Sequence, residues 1–165
     1  MVSVITRPRQ APAELPMESS IGHQVRITNR AFQRALQARI EPHGITWGMW
    51  WFLRVLWSED GLTQRQLSQR VSTMEATTVT ALNNMERAGL IRRVRNTEDR
   101  RKTNVLLTDR GRNLRDVLLP LAADVNAIGL RGLSPQEAAL LLSLLGRVRS
   151  QLEAGVEADP DPGAV

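Results

Sequence analysis

The sequence predicts a mainly α chain carrying one small β-wing, and three observations point there. Apolar residues recur every three or four positions towards both ends of the chain, the mark of helices with one buried face. The central residues 62–107 read as helix, break, helix and then two short strand-like runs joined by a polar turn. Pro42, Gly44, Gly61, Gly89 and Gly132 punctuate the joints between these patterns. With 165 residues, 42 % of them hydrophobic, the chain suits one compact protomer with extensions.

Residues 1–17 hold three prolines and no periodicity, which predicts a disordered arm. From Ser19 or Ser20 to Ile40 the positions Ile21, Val25, Thr28, Phe32, Leu36 and Ile40 share one helical face, and Pro42 with Gly44 ends the pattern. This helix carries His23, one of two histidines in the chain, for which a structural role and a ligand-sensing role both stand.

Residues 47–58 make the most unusual helix, WGMWWFLRVLWS. Met49, Phe52, Leu53 and Leu56 share one side, while Trp47, Trp50, Trp51 and Trp57 cluster on the other around Arg54. A short helix that is apolar on both sides must be sandwiched between layers. All four tryptophans lie within eleven residues. Core packing accounts for buried indoles, but a guanidinium among them needs a partner. A filled core and a ligand pocket both remain open readings.

After a turn over residues 58–61, Thr63 and Gln66 stand at capping-box spacing, and Leu67 with Val71 gives a short apolar stripe. The pattern breaks at Ser72-Thr73 and resumes as a helix over residues 75–88. At about 100° per residue, Thr78, Leu82 and Met85 fall inward, with Ala81 and Ala88 at the margin. Ala76, Thr77, Thr80, Asn83, Asn84 and Arg87 fall outward, with Glu75 and Glu86 off the centre of that face. Such a small, polar, acid-free face suits insertion into a DNA major groove, and it also suits plain solvation. Gly89 is placed to end the helix in the left-handed conformation.

The following residues decide between the two. IRRVR and TNVLLT read as strands, and NTEDRRK between them as a charged turn, so the pair makes a β-hairpin. Residues 87–102 hold seven basic and two acidic side chains. A helix followed by a basic hairpin offers a groove reader and a phosphate or minor-groove contact side by side.

This stretch resembles the MarR family of bacterial transcriptional regulators. The residues that carry the resemblance are Gly89-Leu90-Ile91-Arg92-Arg93 at the start of the hairpin, Asp99-Arg100-Arg101 at its turn, and Leu107-Thr108-Asp109-Arg110-Gly111 after it. It extends over about residues 21–152. The resemblance implies a winged helix-turn-helix in which Leu62 adds a short first strand to the wing sheet. It implies that Arg101 reaches the minor groove from the wing tip, with Asp99 supporting it. The DNA-contacting set expected is Thr77, Thr80, Asn84 and Arg87 on the helix, with Arg93, Arg100, Arg101 and Lys102 on the hairpin. It also implies an inducer pocket between the tryptophan helix, the first helix and the dimerisation helices. An aromatic anion there would stack on Trp47, Trp50 or Trp51 and pair with Arg54, with His23 nearby.

Beyond the wing, Thr108 can cap a helix from Asp109 towards Ile128, with Leu114, Val117, Leu118, Leu121, Val125 and Ile128 as its stripe and a bend expected at Pro120. Ser134-Pro135-Gln136-Glu137 starts another helix, whose apolar face is Ala138, Leu141, Leu142, Leu145, Val148 and Leu152. These helices carry more leucine than a small wing domain can cover, so with the first helix they are expected to form an intertwined homodimer. The expected organisation is a disordered arm (1–17), a helical dimerisation region (18–45 and 109–153), a winged helix-turn-helix (46–108) and a disordered acidic tail (154–165).

Net charge is +5, concentrated near the hairpin, which implies a polyanionic partner. The family resemblance makes that partner double-stranded DNA, and the two-fold symmetry of the expected dimer makes its site a pseudo-palindrome. The chain lacks cysteine, a nucleophile elbow, a phosphate-binding glycine loop and zinc-ligand spacing. No enzyme, cofactor or metal is therefore expected. The absence of a long apolar run or signal-peptide pattern predicts a cytoplasmic protein with no membrane partner. Two functions compete: a repressor released by a small aromatic acid or its thioester, and a constitutive or architectural DNA binder whose tryptophans are only core.

Overall fold

The structure, a computed structural model, describes residues 16–97, 99 and 101–158. Packing divides the chain into two compact units, one up to Ala122 and one from Ala123.

In the first unit, a single 3₁₀ turn at Met17–Ser19 precedes α1 (Ile21–Ile40). Met17, expected within the arm, is therefore ordered, because Pro16 starts the turn and the Ser20 N–H donates to the Met17 carbonyl; residues 1–15 lie outside the described residues. Ser20 caps α1 by accepting from the His23 N–H at 3.3 Å. Leu36 and Ile40 are buried, whereas Ile21 and Val25, on the same stripe, are exposed in the single chain. Gly44, at φ +78°, turns the chain into α2 (Trp47–Ser58), which Thr46 caps through the Met49 N–H.

Met49, Phe52, Leu53 and Leu56 of α2 are buried, as their spacing predicts, and α2 packs against α3 (Gln64–Val71) and α4 (Glu75–Arg87). The capping box of α3 is present: Gln66 Oε1 accepts from the Thr63 N–H at 2.9 Å, and Thr63 Oγ1 from the Gln66 N–H at 3.3 Å. On α4, Thr78, Leu82 and Met85 are fully buried, and the Thr78 hydroxyl is satisfied by the Met74 carbonyl at 3.2 Å. Gly89 ends α4 at φ +67°.

The turn between α3 and α4 contains Ser72 at φ +55°, the one non-glycine residue with positive φ among those described. A Cβ makes this region unfavourable. Ser72→Gly is expected to raise stability by about 0.5–1 kcal/mol, checked by denaturant titration. An unchanged or lower midpoint would mean that the gain in unfolded-chain entropy outweighs the relief.

β1 (Ile91–Arg95) and β2 (Thr103–Leu107) pair antiparallel, with Ile91 opposite Leu107 and Arg95 opposite Thr103. The expected strand at Leu62 is reduced to one bridge, Thr63 with Asn104, because the segment turns straight into α3. Its ladder is the Val105 N–H donating to the Leu62 carbonyl (2.8 Å) and the Gly61 N–H to the Val105 carbonyl (3.1 Å). Asp60 ties this corner together: Oδ1 accepts from the Gly61 and Leu107 N–H groups, and Oδ2 from Arg112 at 3.2 Å. Arg112 stands in the first turn of α5 (Asp109–Gly129), where Gly111 is buried against the Leu90 carbonyl. Leu118 is fully buried, but Val117 of the same expected stripe is exposed.

The second unit takes in the end of α5 and α6 (Pro135–Ala158). Ser134 and Glu137 form the predicted capping box. The bonds from the Ser134 N–H and hydroxyl hold the Glu137 carboxyl below its usual range. α6 continues to Ala158, so residues 154–158, expected in the disordered tail, are helical. No proline interrupts the helix before Pro160, and it is the residue preceding a proline that is steered away from helical geometry. Residues 159–165 lie outside the described residues. Leu142 and Leu152 are 70 % and 67 % exposed, and Leu140, Leu141, Leu144, Leu145 and Val148 are exposed too.

Candidate nucleic-acid interface

The outer face of α4 meets the hairpin along a basic edge. Ala76, Thr77, Thr80, Asn83 and Arg87 are exposed, and Asn84 is half-buried. Thr80 donates its hydroxyl to the Ala76 carbonyl at 3.2 Å, and its side chain stays exposed. Arg87 donates through Nη2 to Asn84 Oδ1 and through Nε to the Asn83 carbonyl.

Arg93, expected in the DNA-contacting set, is held against α4. Its Nη1 donates to Glu86 Oε2 (2.9 Å) and Asn83 Oδ1 (2.8 Å), its backbone N–H donates to Glu86 Oε1 (3.2 Å), and its side chain is only 25 % exposed. It bolts the hairpin to the C-terminal half of α4. Sequence reasoning set Glu86 aside as off-centre and left Asn83 out of the contact set; the seven- and ten-residue separations from Arg93 carry no local signature.

At the wing turn, Asp99 supports Arg101 through the main chain. Its Oδ1 accepts from the Arg101 N–H at 3.0 Å, its Oδ2 pairs with Lys102 at 3.4 Å, and its own N–H donates to Asn96 Oδ1 at 2.8 Å. The Arg101 side chain is exposed and has no carboxylate partner among the described residues. Arg100, also expected to touch DNA, lies outside the described residues. Arg101, Lys102 and Thr103 share an open cleft of about 480 Å³ with Thr63, Gln64, Arg65 and Glu75. Arg65 was missed in the sequence because a lone arginine in the first turn of α3 has no distinguishing spacing.

The tryptophans separate into two edge-to-face pairs instead of one cluster. Trp50 is buried against Trp57 (centroids 5.8 Å apart), and the Trp57 indole N–H donates to the Gly111 carbonyl at 2.8 Å. Trp47 meets Trp51 at 5.3 Å, and Trp51 is exposed. The partner that Arg54 required is the Trp50 ring, 5.7 Å away, and no carboxylate among the described residues pairs with it. Trp51 and Arg54 line a cavity of about 650 Å³ with Val55, Ser58, Arg70 and Val71. This cavity lies between α2 and α3; Trp47, Trp50 and His23 do not line it, and α1 takes no part.

Among the described residues no His, Asp or Glu cluster can hold a metal ion, and no helix is long and apolar enough to cross a membrane.

Residues 45–103 match the MarR family model. The chain is 30 % identical over 148 residues to the HTH-type transcriptional regulator TtmR of Methylorubrum extorquens, covering 90 % of this chain and 75 % of that one. Its fold is similar to a MarR transcriptional regulator from Methanosarcina mazei, with a TM-score of 0.74 and 29 % identity over 81 % of this chain and 97 % of the other. It is similar at the same TM-score, with 20 % identity over 81 % of this chain and 89 % of the other, to a MarR family regulator from Listeria monocytogenes solved with a 26-mer DNA. The helix-turn-helix, the paired strands and these relatives place the chain in the MarR family, as a DNA-binding transcriptional regulator and not an enzyme.

Proposed function

We infer that this regulator works as a homodimer in the cytoplasm, with α4 of each copy in successive major grooves of a pseudo-palindromic operator and Arg101 in the adjoining minor groove. The observation that carries this is the exposed polar face of α4 together with a cleft at the start of that helix, where Arg65, Arg101 and Lys102 outnumber the single acid Glu75. Two-fold pairing is supported by the uncovered leucines of α6 and the bare N-terminal stripe of α1, since an exposed apolar surface of that extent marks an association site. Two-fold symmetry sets the half-sites about one helical turn apart. Light scattering that returns a dimer, with retardation of the promoter duplex beside the protein's own gene, is the expected result. A monomer at micromolar concentration removes the dimer.

The same reading makes the protein a repressor released by a small aromatic acid or its thioester, seated on Trp51 with its anion on Arg54. The exposed indole and a guanidinium with no carboxylate partner among the described residues, both in one cavity, support it. Arg54→Met is then expected to abolish ligand-induced release while unliganded operator affinity stays within about twofold, because the exposed guanidinium offers little to the fold beyond an exposed cation–π contact of about 0.5–1 kcal/mol. Calorimetric titration with benzoate and duplex release on this one variant decide the matter. Release at the wild-type ligand concentration eliminates Arg54 as the anchor. The second reading, a constitutive binder, draws on Trp50, which is already core, with half-buried Trp57 packed edge-to-face against it. It predicts no benzoate response in the wild type.

A further inference from the structure

Asn83 and Asn84 are both held in one orientation by arginines. Arg93 Nη1 donates to Asn83 Oδ1 at 2.8 Å, and Arg87 Nη2 donates to Asn84 Oδ1. Arginine has only donors, so neither amide can turn over without facing N–H against N–H. The two locks differ in strength. Arg87 is an exposed side chain on the same helix, whereas Arg93 comes from β1, its guanidinium held by Glu86 Oε2 and its backbone N–H by Glu86 Oε1. The Asn83 oxygen is thereby turned towards β1, and no acceptor among the described residues takes its amino group.

We propose that Asn83 reads the operator as a fixed donor, with Arg93 and Glu86 as positioning residues that deny it its other role. The proposal rests on α4 being the groove-reading helix. A free asparagine selects adenine by donating to N7 while accepting from the N6 amino group. An asparagine whose oxygen is turned towards the hairpin presents only its two N–H donors to the groove and seeks an edge with two acceptors. Guanine, with N7 and O6, has that edge; cytosine, which presents only its N4 amino donor in the major groove, is the worst match. The base opposite Asn83 is therefore guanine, and the choice is made by a salt bridge that itself need not touch DNA.

Selection from randomised duplexes, with wild type, Asn83→Ala, Asn83→Asp and Arg93→Met side by side, tests this. In the wild type one position should be guanine by about tenfold over adenine. Asn83→Ala should erase the preference at that position and leave the others. Arg93→Met frees the oxygen and should move the position to adenine, with melting temperature recorded alongside. Asn83→Asp, at an exposed helix site, keeps the bond to Arg93 but removes both donors and should lose guanine. A wild type that selects no motif at all sinks the groove-reading assignment. If Asn83→Ala changes no position while the wild type selects a defined motif, Asn83 does not read and the proposal fails by itself. If it erases a position that is adenine in the wild type, α4 reads but the lock is wrong. If Arg93→Met does not fold, retention of guanine by Asn83→Asp overturns the proposal on its own.

Discussion

Arg101→Ala is expected to bind the operator roughly thirtyfold more weakly than the wild type, a loss of about 2 kcal/mol, and to melt at the same temperature. The side chain stands exposed at the wing turn with no carboxylate partner among the described residues, so its removal takes nothing from the fold. A guanidinium in the minor groove meets a concentrated negative potential, and its loss also removes about one displaced counterion. The slope of log affinity against log salt should therefore become shallower by about one. Asp99→Ala acts by another route. It frees the Arg101 N–H and breaks the pair with Lys102 but leaves both cations in place, so the loss should be smaller. Fluorescence anisotropy with labelled duplex at several salt concentrations measures both variants. If Arg101→Ala binds as the wild type does, the minor-groove role carried over from the family is wrong at this position.

Gly111→Ala should lower the melting temperature by roughly 5–10 °C, a net destabilisation of about 2–3 kcal/mol. Alanine improves helix propensity by about 1 kcal/mol, so the sign is set by space. A Cβ at residue 111 would collide with the Leu90 carbonyl oxygen and lie 3.1 Å from Leu107 Cδ2. The carbonyl cannot give way freely, since it already accepts the Thr108 N–H at 3.0 Å. Moving α5 instead would stretch the bond from the Gly111 N–H to Thr108 Oγ1 and the bond from Trp57 to the Gly111 carbonyl. Thermal unfolding followed by circular dichroism reads the effect. A variant within one degree of wild type would show that the first turn of α5 is free to shift.

The features legible in the sequence were those with local causes. Thr63 with Gln66 and Ser134 with Glu137 announced their caps at three-residue spacing, Gly89 its left-handed turn, and the 100° repeat sent Thr78, Leu82 and Met85 inward. Features that depend on distant segments were not legible. The spacing of the four tryptophans places them on one side of α2, but their pairing depends on what the rest of the chain brings up. Gly111 supplies an acceptor to Trp57 from 54 residues away, and Trp57 is half-buried over the core residue Trp50 while Trp51 stays outside. The basic run around Arg93 is visible in the sequence, but only the fold brings Glu86 and Asn83 to it. The end of α6 was drawn too early, on composition alone.

The division of the tryptophans gives the protein a built-in optical probe. All of its indole emission originates in α2, so the spectrum carries no background from elsewhere in the chain. Trp50, in an apolar and rigid setting, should emit at shorter wavelength and resist iodide, whereas exposed Trp51 should emit to the red and be quenched. The difference spectrum with and without iodide is thus weighted towards Trp51, which borders the α2–α3 cavity, over the half-buried Trp47 and Trp57 and the buried Trp50. Occupancy of that cavity and opening of the core can then be followed separately, in real time and without a label, by watching two ends of one emission band.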